Sequence, residues 1–309
     1  MNNLNENLSE KLVKILSEKN YVIFLFHGVI HQSNHKVRNY NGKHIQANTF
    51  AECIKLLNEN GNPVSMDEIL NHHINKEELP PKSFAITFDD GFENNLSVAA
   101  PILYDFKVPA TIYITTEFIE KNKMSWVDRI EYAVENVASI DLNLDWINKK
   151  IYLKDVKSKI SFLKLVRNYV KNSSNCNPNI FADILCEQLG FSNIESSNDP
   201  LDKKMNWEEV SKANQSDLLT IGGHSHTHSV LSYLNPSQLK EEIDTSLSLL
   251  KNKANLKPIH YSYPEGLKHC YSENVINELK KNGVLCCPTA INGVNNLSDD
   301  LFQLKRVMI

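Results

Sequence analysis

Two short stretches of this 309-residue chain hold most of the side chains able to do chemistry: Asp89-Asp90-Gly91 and His224-Ser225-His226-Thr227-His228. Adjacent ionised carboxylates repel and are costly to desolvate unless a cation neutralises one of them. Successive residues leaving a strand point in different directions. One carboxylate can therefore grip an ion while its neighbour stays free to move protons. A solvated turn is the competing reading, because Asp-Gly is a common turn pair. His224 and His228 are four apart, which on a helix sets both rings on one face, and Gly222-Gly223 suits a turn entering a helix. Two neutral imidazoles plus the Asp90 carboxylate would hold one divalent ion and leave positions open for water and substrate. Zn2+ is the first expectation for such ligands, with Co2+ or Ni2+ as alternatives. The competing reading is a His-rich surface loop. His226 is expected to face solvent, and His31, His35, His72 and His73 are read as structural or exposed.

These stretches need elements that carry them to one place. The apolar, β-branched run Phe84–Phe88 predicts a buried strand ending at Asp89, and Tyr21–Phe26 predicts another ending at His27. Further strands are expected over 110–114, 218–221, 259–263, 284–287 and 301–309. Helices are expected over 9–19, from a Thr49/Glu52 capping box to Gly61, and from a Ser65/Glu68 box to about 72. Others follow over 94–104, 207–213, 236–251 and 272–281. Strand alternating with helix predicts an α/β fold with a parallel sheet or barrel, where sites assemble at strand ends. Between about 120 and 203 the rhythm changes. Helices over 126–137, 156–171 and 179–188 and a hairpin around Asn148 read as a helical insertion within one domain spanning 1–309, with 172–178 as a loop.

Composition bounds the rest. The hydrophobic share of 41% is enough for a core, and a net charge of −4 gives no footprint for nucleic acid. Six cysteines without C-x-x-C spacing are read as reduced. Met1–Asn20 has no apolar run of signal-peptide type, so the expected compartment is cytoplasmic. Lys149, Lys150, Lys154, Lys157, Lys159, Lys164, Arg167 and Lys171 make the insertion basic. That is a solvated face, or a contact through 149–171 with a substrate phosphate or an anionic membrane surface.

Thr87-Phe-Asp-Asp-Gly91 together with His224-Ser-x-x-His228 resembles the first two motifs of the polysaccharide deacetylase family, the NodB-homology fold of carbohydrate esterase family 4. Where the family often has Arg-x-Pro-Tyr-Gly, this chain has Ser262-Tyr263-Pro264-Glu265-Gly266. The altered form, with Leu25-Phe26-His27 at the first strand and Leu304-Lys305-Arg306-Val307 near the end, resembles the circularly permuted branch that includes the poly-N-acetylglucosamine deacetylases. The resemblance implies a distorted (β/α)7-type barrel and a metal-dependent hydrolase removing an N-acetyl or N-formyl group from an amino sugar. It implies Asp90, His224 and His228 as metal ligands, and Asp89 as base, oriented by Arg306 in place of the missing arginine. His27, protonated, would donate to the leaving amine. Glu265, through its backbone N–H, with Tyr263 and Pro264, would form the oxyanion and substrate wall. The competing readings are a core histidine for His27 and a surface cation for Arg306. The expected partner is a carbohydrate, lipid- or nucleotide-linked where it is a biosynthetic precursor, with no obligate protein partner. Alternatives are an amidohydrolase acting on a non-sugar amide, or a silent metal-containing glycan-binding protein.

Overall fold

A computed structural model describes residues 6–173 and 176–309. In chain order the first elements are α1 (Glu6–Ile15), β1 (Val22–Phe26), β2 (Gly28–Ile30), β3 (His44–Gln46), α2 (Ala47–Asn60), β4 (Asn62–Pro63), α3 (Met66–Asn75) and β5 (Ser83–Phe88). A π-helical turn, Asn95–Ala99, leads into α4 (Ala100–Phe106), followed by β6 (Ala110–Ile114) and α5 (Thr116–Lys121). The insertion supplies α6 (Trp126–Asn136), the hairpin β7 (Ile140–Leu144) and β8 (Lys149–Leu153), α7 (Val156–Asn172) and α8 (Pro178–Gln188). The chain closes with α9 (Trp207–Asn214), β9 (Leu219–Gly223), α10 (Pro236–Ala254), α11 (Glu273–Lys281) and β10 (Val307–Met308).

The main sheet runs β10-β1-β5-β6-β9, with β4 beside β5, and every pair in it is parallel. Strands β1, β5 and β6 are buried along their whole length, which is why they read as unbroken apolar or β-branched runs rather than alternating ones. Beyond β9 the ladder continues only as single bridges, Gly223 to Tyr261 and His260 to Cys286. Backbone bonds from Cys287 to Leu301 and from Thr289 to Leu304 then lead back toward β10. The strands expected over 259–263 and 284–287 are therefore bridges, and the last shrinks to β10. Pro258, Pro264 and Pro288 flank these segments and stop the pairing from extending, since a proline has no N–H for a ladder. The result is α/β with a distorted, barrel-like ring of strands.

Local chemistry explains most helix ends. Ser65, Ser125, Asp155, Asn206 and Asn235 each close a capping box. The expected Thr49/Glu52 box does not start α2, because β3 runs straight into that helix at Ala47 and its cap, Gln46, makes no side-chain bond. The insertion has an apolar core of its own, built from Trp126, Ile130, Leu142, Phe162, Val166 and Leu185 among others, with Val37 reaching in from the long loop before β3. The loop expected over 172–178 includes 174 and 175, which lie outside the described residues. Among the described residues no helix is long and apolar enough to cross a membrane.

Candidate active site

Parallel register brings the two acidic and imidazole stretches level. Phe26 of β1 pairs with Phe88 of β5, so His27 and Asp89 leave the sheet side by side at its C-terminal edge. Ile114 pairs with Gly223, which sets His224 two strands away on the same edge. Asp89 donates its backbone N–H to Phe26 O at 3.0 Å. Asp90 then turns with φ 76°, a left-handed conformation that a non-glycine residue adopts at a cost, and Gly91 follows at φ 75°. A Cβ on Gly91 would come within 2.9 Å of the Ile114 side chain. These two turns point neighbouring carboxylates in different directions.

Asp90 Oδ1 lies 3.2 Å from His228 Nε2 and 3.7 Å from His224 Nε2, yet makes no well-directed hydrogen bond. His224 Nδ1 faces the Ser262 carbonyl at 2.9 Å, which selects the tautomer with a bare Nε2. Ligand atoms of Asp90, His224 and His228 all fall within 4.8 Å of one another. A buried carboxylate oxygen without a good donor, facing two imidazole nitrogens, is the environment a divalent cation fits. The imidazoles do not meet on a helix, as the spacing suggested. They meet in a tight turn with Ser225 at φ 65° and His228 at φ 61°, closed by His228 N–H donating to Ser225 Oγ at 2.9 Å. His226 is half-buried, with Nδ1 3.0 Å from Thr116 Oγ1, so it faces the protein rather than open solvent.

Asp89 is held differently. Arg306, fully buried, forms a two-pronged pair with it, Nη1 to Oδ1 at 2.8 Å and Nη2 to Oδ2 at 2.7 Å. The guanidinium is itself fixed by the Thr289 carbonyl at 2.6 Å, Ser262 Oγ at 2.9 Å and Thr87 Oγ1 at 3.3 Å. Burial alone would raise the Asp89 carboxyl, but Arg306 and then His224 outweigh it and hold it below the usual range. Arg306 therefore stands where the replacement arginine was expected. For Asp90, burial is likewise overcome, by Lys43 and His228, and the carboxyl sits far below its usual value. His228 goes up, because Asp90 outweighs burial. His27 lines the same cleft half-buried, with its carbonyl accepting from Asn95 in the π-helical turn at 2.7 Å. Burial pushes its imidazole down to about 4, so the ring would have to gain its proton before donating to a leaving amine.

The third motif divides. Glu265 lines the cleft at φ 60° and pairs with Lys171 of α7, which together with His228 outweighs burial and takes its carboxyl down to about 2. Among the described residues its backbone N–H has no hydrogen-bond acceptor. Tyr263 does not reach the cleft. It is fully buried, stacked on Tyr271 at 4.8 Å, and its hydroxyl donates to Phe302 O at 3.1 Å. Pro264 is also buried away from the cleft, and its carbonyl accepts from Gly266 N–H in a tight turn at 2.7 Å.

Sequence reasoning missed Lys43, whose Nζ lies 3.0 Å from Asp90 Oδ2 and 3.3 Å from Asp128 Oδ1. It also missed Arg167 as a cleft residue, along with Leu25, Trp126 and Val127 on the apolar side. The signal for Arg167 and Lys171 was their four-residue spacing on α7. Of the basic residues read there as one face, Lys157 and Lys164 are exposed, whereas Lys171 turns to Glu265. Lys159 is internal, donating to the Glu135 and Val137 carbonyls.

Residues 76–146 and 189–286, more than half of the chain, match the family model described as polysaccharide deacetylase. No curated protein matches. Among solved structures, a Streptococcus pyogenes deacetylase, PplD, in complex with acetate aligns at TM-score 0.60 and 15% identity, covering 94% of this chain and 92% of that one. IcaB from Ammonifex degensii aligns at 0.59 and 16%, covering 95% and 93%. A de-N-acetylase from Aggregatibacter actinomycetemcomitans aligns at 0.59 and 17%, covering 94% and 95%. At such identities these three speak for the fold.

Proposed function

The chain belongs to the polysaccharide deacetylase family, and from that footing we propose a metal-dependent hydrolase that removes an N-acetyl or N-formyl group from an amino sugar. The observation that carries the proposal is the pairing of two acids with opposite tasks. Asp90 faces two imidazoles and would hold the ion with them, while Asp89 next to it is kept ionised by the two-pronged Arg306, its Oδ2 4.0 Å from His224 Nε2 and outside the three-ligand cluster. A silent glycan-binding protein would have no use for a second carboxylate so oriented. Bound at Asp90, His224 and His228, a divalent ion, Zn2+ in the first instance, would polarise the amide carbonyl and lower the pKa of an attacking water.

The chain's own groups do the rest. Asp89 takes a proton from the water, its carboxylate fixed by the two-pronged guanidinium. The Glu265 backbone N–H, without an acceptor of its own, is available to the developing oxyanion. His27 enters the cycle neutral, so the proton it passes to the departing amine is one released within the turnover. Leu25, Trp126 and Val127 supply an apolar wall for the acyl group. Arg167 and Lys171 come from residues 147–188, which the family model does not match, and they line one side of the cleft, Lys171 paired with Glu265 and Arg167 Nη1 3.7 Å from Glu131 Oε1. The substrate class this reading takes is a lipid- or nucleotide-linked precursor, whose phosphate would compete with Glu131 and Glu265 for these two cations.

The test is incubation of the Zn2+- or Co2+-loaded protein with N-acetylated and N-formylated sugars, sugar nucleotides and neutral oligosaccharides. Released carboxylate and free amine are measured. We expect release in wild type, its loss in His224→Ala and Asp89→Asn, and retention of bound metal in Asp89→Asn alone. Absence of release from every sugar, with metal bound, would overturn the sugar assignment.

A further inference from the structure

We propose that Lys43 is a positioning residue that occupies one oxygen of Asp90, restricts this carboxylate to a single ligating oxygen, and so keeps a position beside the ion open for substrate. The inference rests on the metal-dependent reading above. It starts from how the two Asp90 oxygens are divided. Oδ1 faces His228 Nε2 at 3.2 Å and His224 Nε2 at 3.7 Å, whereas Oδ2 takes the Lys43 ammonium at 3.0 Å.

Lys43 is not a surface lysine that happens to reach inward. Its ammonium is shared with Asp128 Oδ1 at 3.3 Å and lies 4.6 Å from the centre of the Phe92 ring. Asp128 is buried at the start of α6, with its other oxygen 3.2 Å from Lys204 Nζ and bonded to Ser125 N–H at 3.2 Å. Lys204, also buried, donates to the Asp202 carbonyl at 2.8 Å and lies on the same Phe92 ring. Charges thus alternate from Asp90 through Lys43 and Asp128 to Lys204. The loop that carries Lys43 is pinned from α6: Glu135 Oε2 accepts from Val37 and Arg38 N–H at 2.7 and 3.0 Å, and Glu131 Oε2 from Asn39 N–H at 3.0 Å.

A carboxylate next to a divalent ion binds through one oxygen or both. Two-oxygen binding fills a position that a catalytic site needs for substrate and adds negative charge to the ion. A cation fixed on Oδ2 opposes both. It also repels the ion, so Lys43 should weaken metal affinity while supporting turnover. A side chain that merely supported the fold would do neither.

The test uses metal-free protein titrated with Zn2+ against a chromophoric chelator, with turnover measured at saturating Zn2+. Lys43→Met is expected to bind Zn2+ about tenfold tighter, because a cation that repels the ion is gone, with turnover about 10- to 100-fold slower. A crystal structure of its Zn2+ form should show both Asp90 oxygens on the ion, and Lys43→Arg should restore part of the turnover. Asp128→Asn, which leaves the Lys43 charge leaning on Asp90 alone, should bind Zn2+ more weakly and keeps the test alive if Lys43→Met fails to fold. Wild-type or weaker Zn2+ affinity in folded Lys43→Met, unchanged turnover in it, or unchanged or tighter binding in Asp128→Asn overturns the proposal. A wild-type protein that binds no Zn2+ would instead overturn the metal-dependent reading itself.

Discussion

Arg306 and Asp89 form a buried ion pair that bears both on the proposed base and on the energy of the fold. The guanidinium is fully buried and spends its donors on Asp89, Ser262, Thr87 and the Thr289 carbonyl. Replacing it with methionine leaves a buried carboxylate with no cation on it, which typically costs about 3–5 kcal/mol. The direction of the pH effect follows from the depressed Asp89 carboxyl. Its contribution to stability is complete above the unfolded value, near 3.8, and is lost as pH falls through the lower folded value. Without Arg306, burial dominates and the carboxyl rises. The acid limb of kcat/KM in Arg306→Met should therefore move to higher pH, with kcat reduced about 100-fold. An acid limb that stays in place would show that Asp89 is not the base that the guanidinium holds ionised.

At the scale of elements, the buried parallel strands were legible because apolar runs ending in Asp89, His27 and Gly223 carry their own register and end points. What connects them was not. The π-helical turn after Gly91, which hands Asn95 to the His27 carbonyl, has no distinct sequence signature within a pattern that reads as ordinary helix. The His224–His228 turn has the spacing of a helix but is made by two left-handed residues and a local Ser225 side-chain bond, while Glu242 of α10 takes the His226 and Thr227 N–H groups from across the fold. Lys43 sits in a polar loop whose course is set by carboxylates of α6, some 90 residues away, so no local pattern could announce it. Tyr263 and Pro264 were drawn into the site by their place in a motif, whereas burial shows them to be scaffold. The same turn separates backbone from side-chain roles. Glu265→Gln keeps the backbone N–H, so kcat should fall by less than about fivefold even though the Lys171 pair weakens. Gly266 sits at φ 59°, and a Cβ there would meet Ala290 N at 2.5 Å, so Gly266→Ala must shift the turn that aims that N–H. Gly266→Ala should lose at least about 100-fold in kcat with metal content unchanged; a larger loss in Glu265→Gln than in Gly266→Ala would move the function to the carboxylate.

Across the whole molecule, the insertion has its own apolar core yet is tied to the candidate metal site by charge. Asp128 of α6 reaches Asp90 through Lys43, and Lys171 of α7 reaches the cleft through Glu265. An ion that settles Asp90 should therefore settle α6 and α7 as well as the strand ends. Zn2+ at about 100 times its Kd adds about 2.7 kcal/mol to the stability of a protein that binds it only when folded. For a chain of this size that is a rise in Tm of roughly 5 °C. The raised His228 value gives the pH dependence its sign, since that imidazole must shed its proton to bind. The rise should shrink as pH falls below neutrality and vanish in His228→Ala. Amide hydrogen exchange separates a shared response from a local one: in Zn2+-loaded protein, protection should increase in α6 and α7 together with the loops after β5 and β9. Protection confined to those loops, with both helices exchanging as before, would mean that the buried charges join the two parts without transmitting the ion's effect between them.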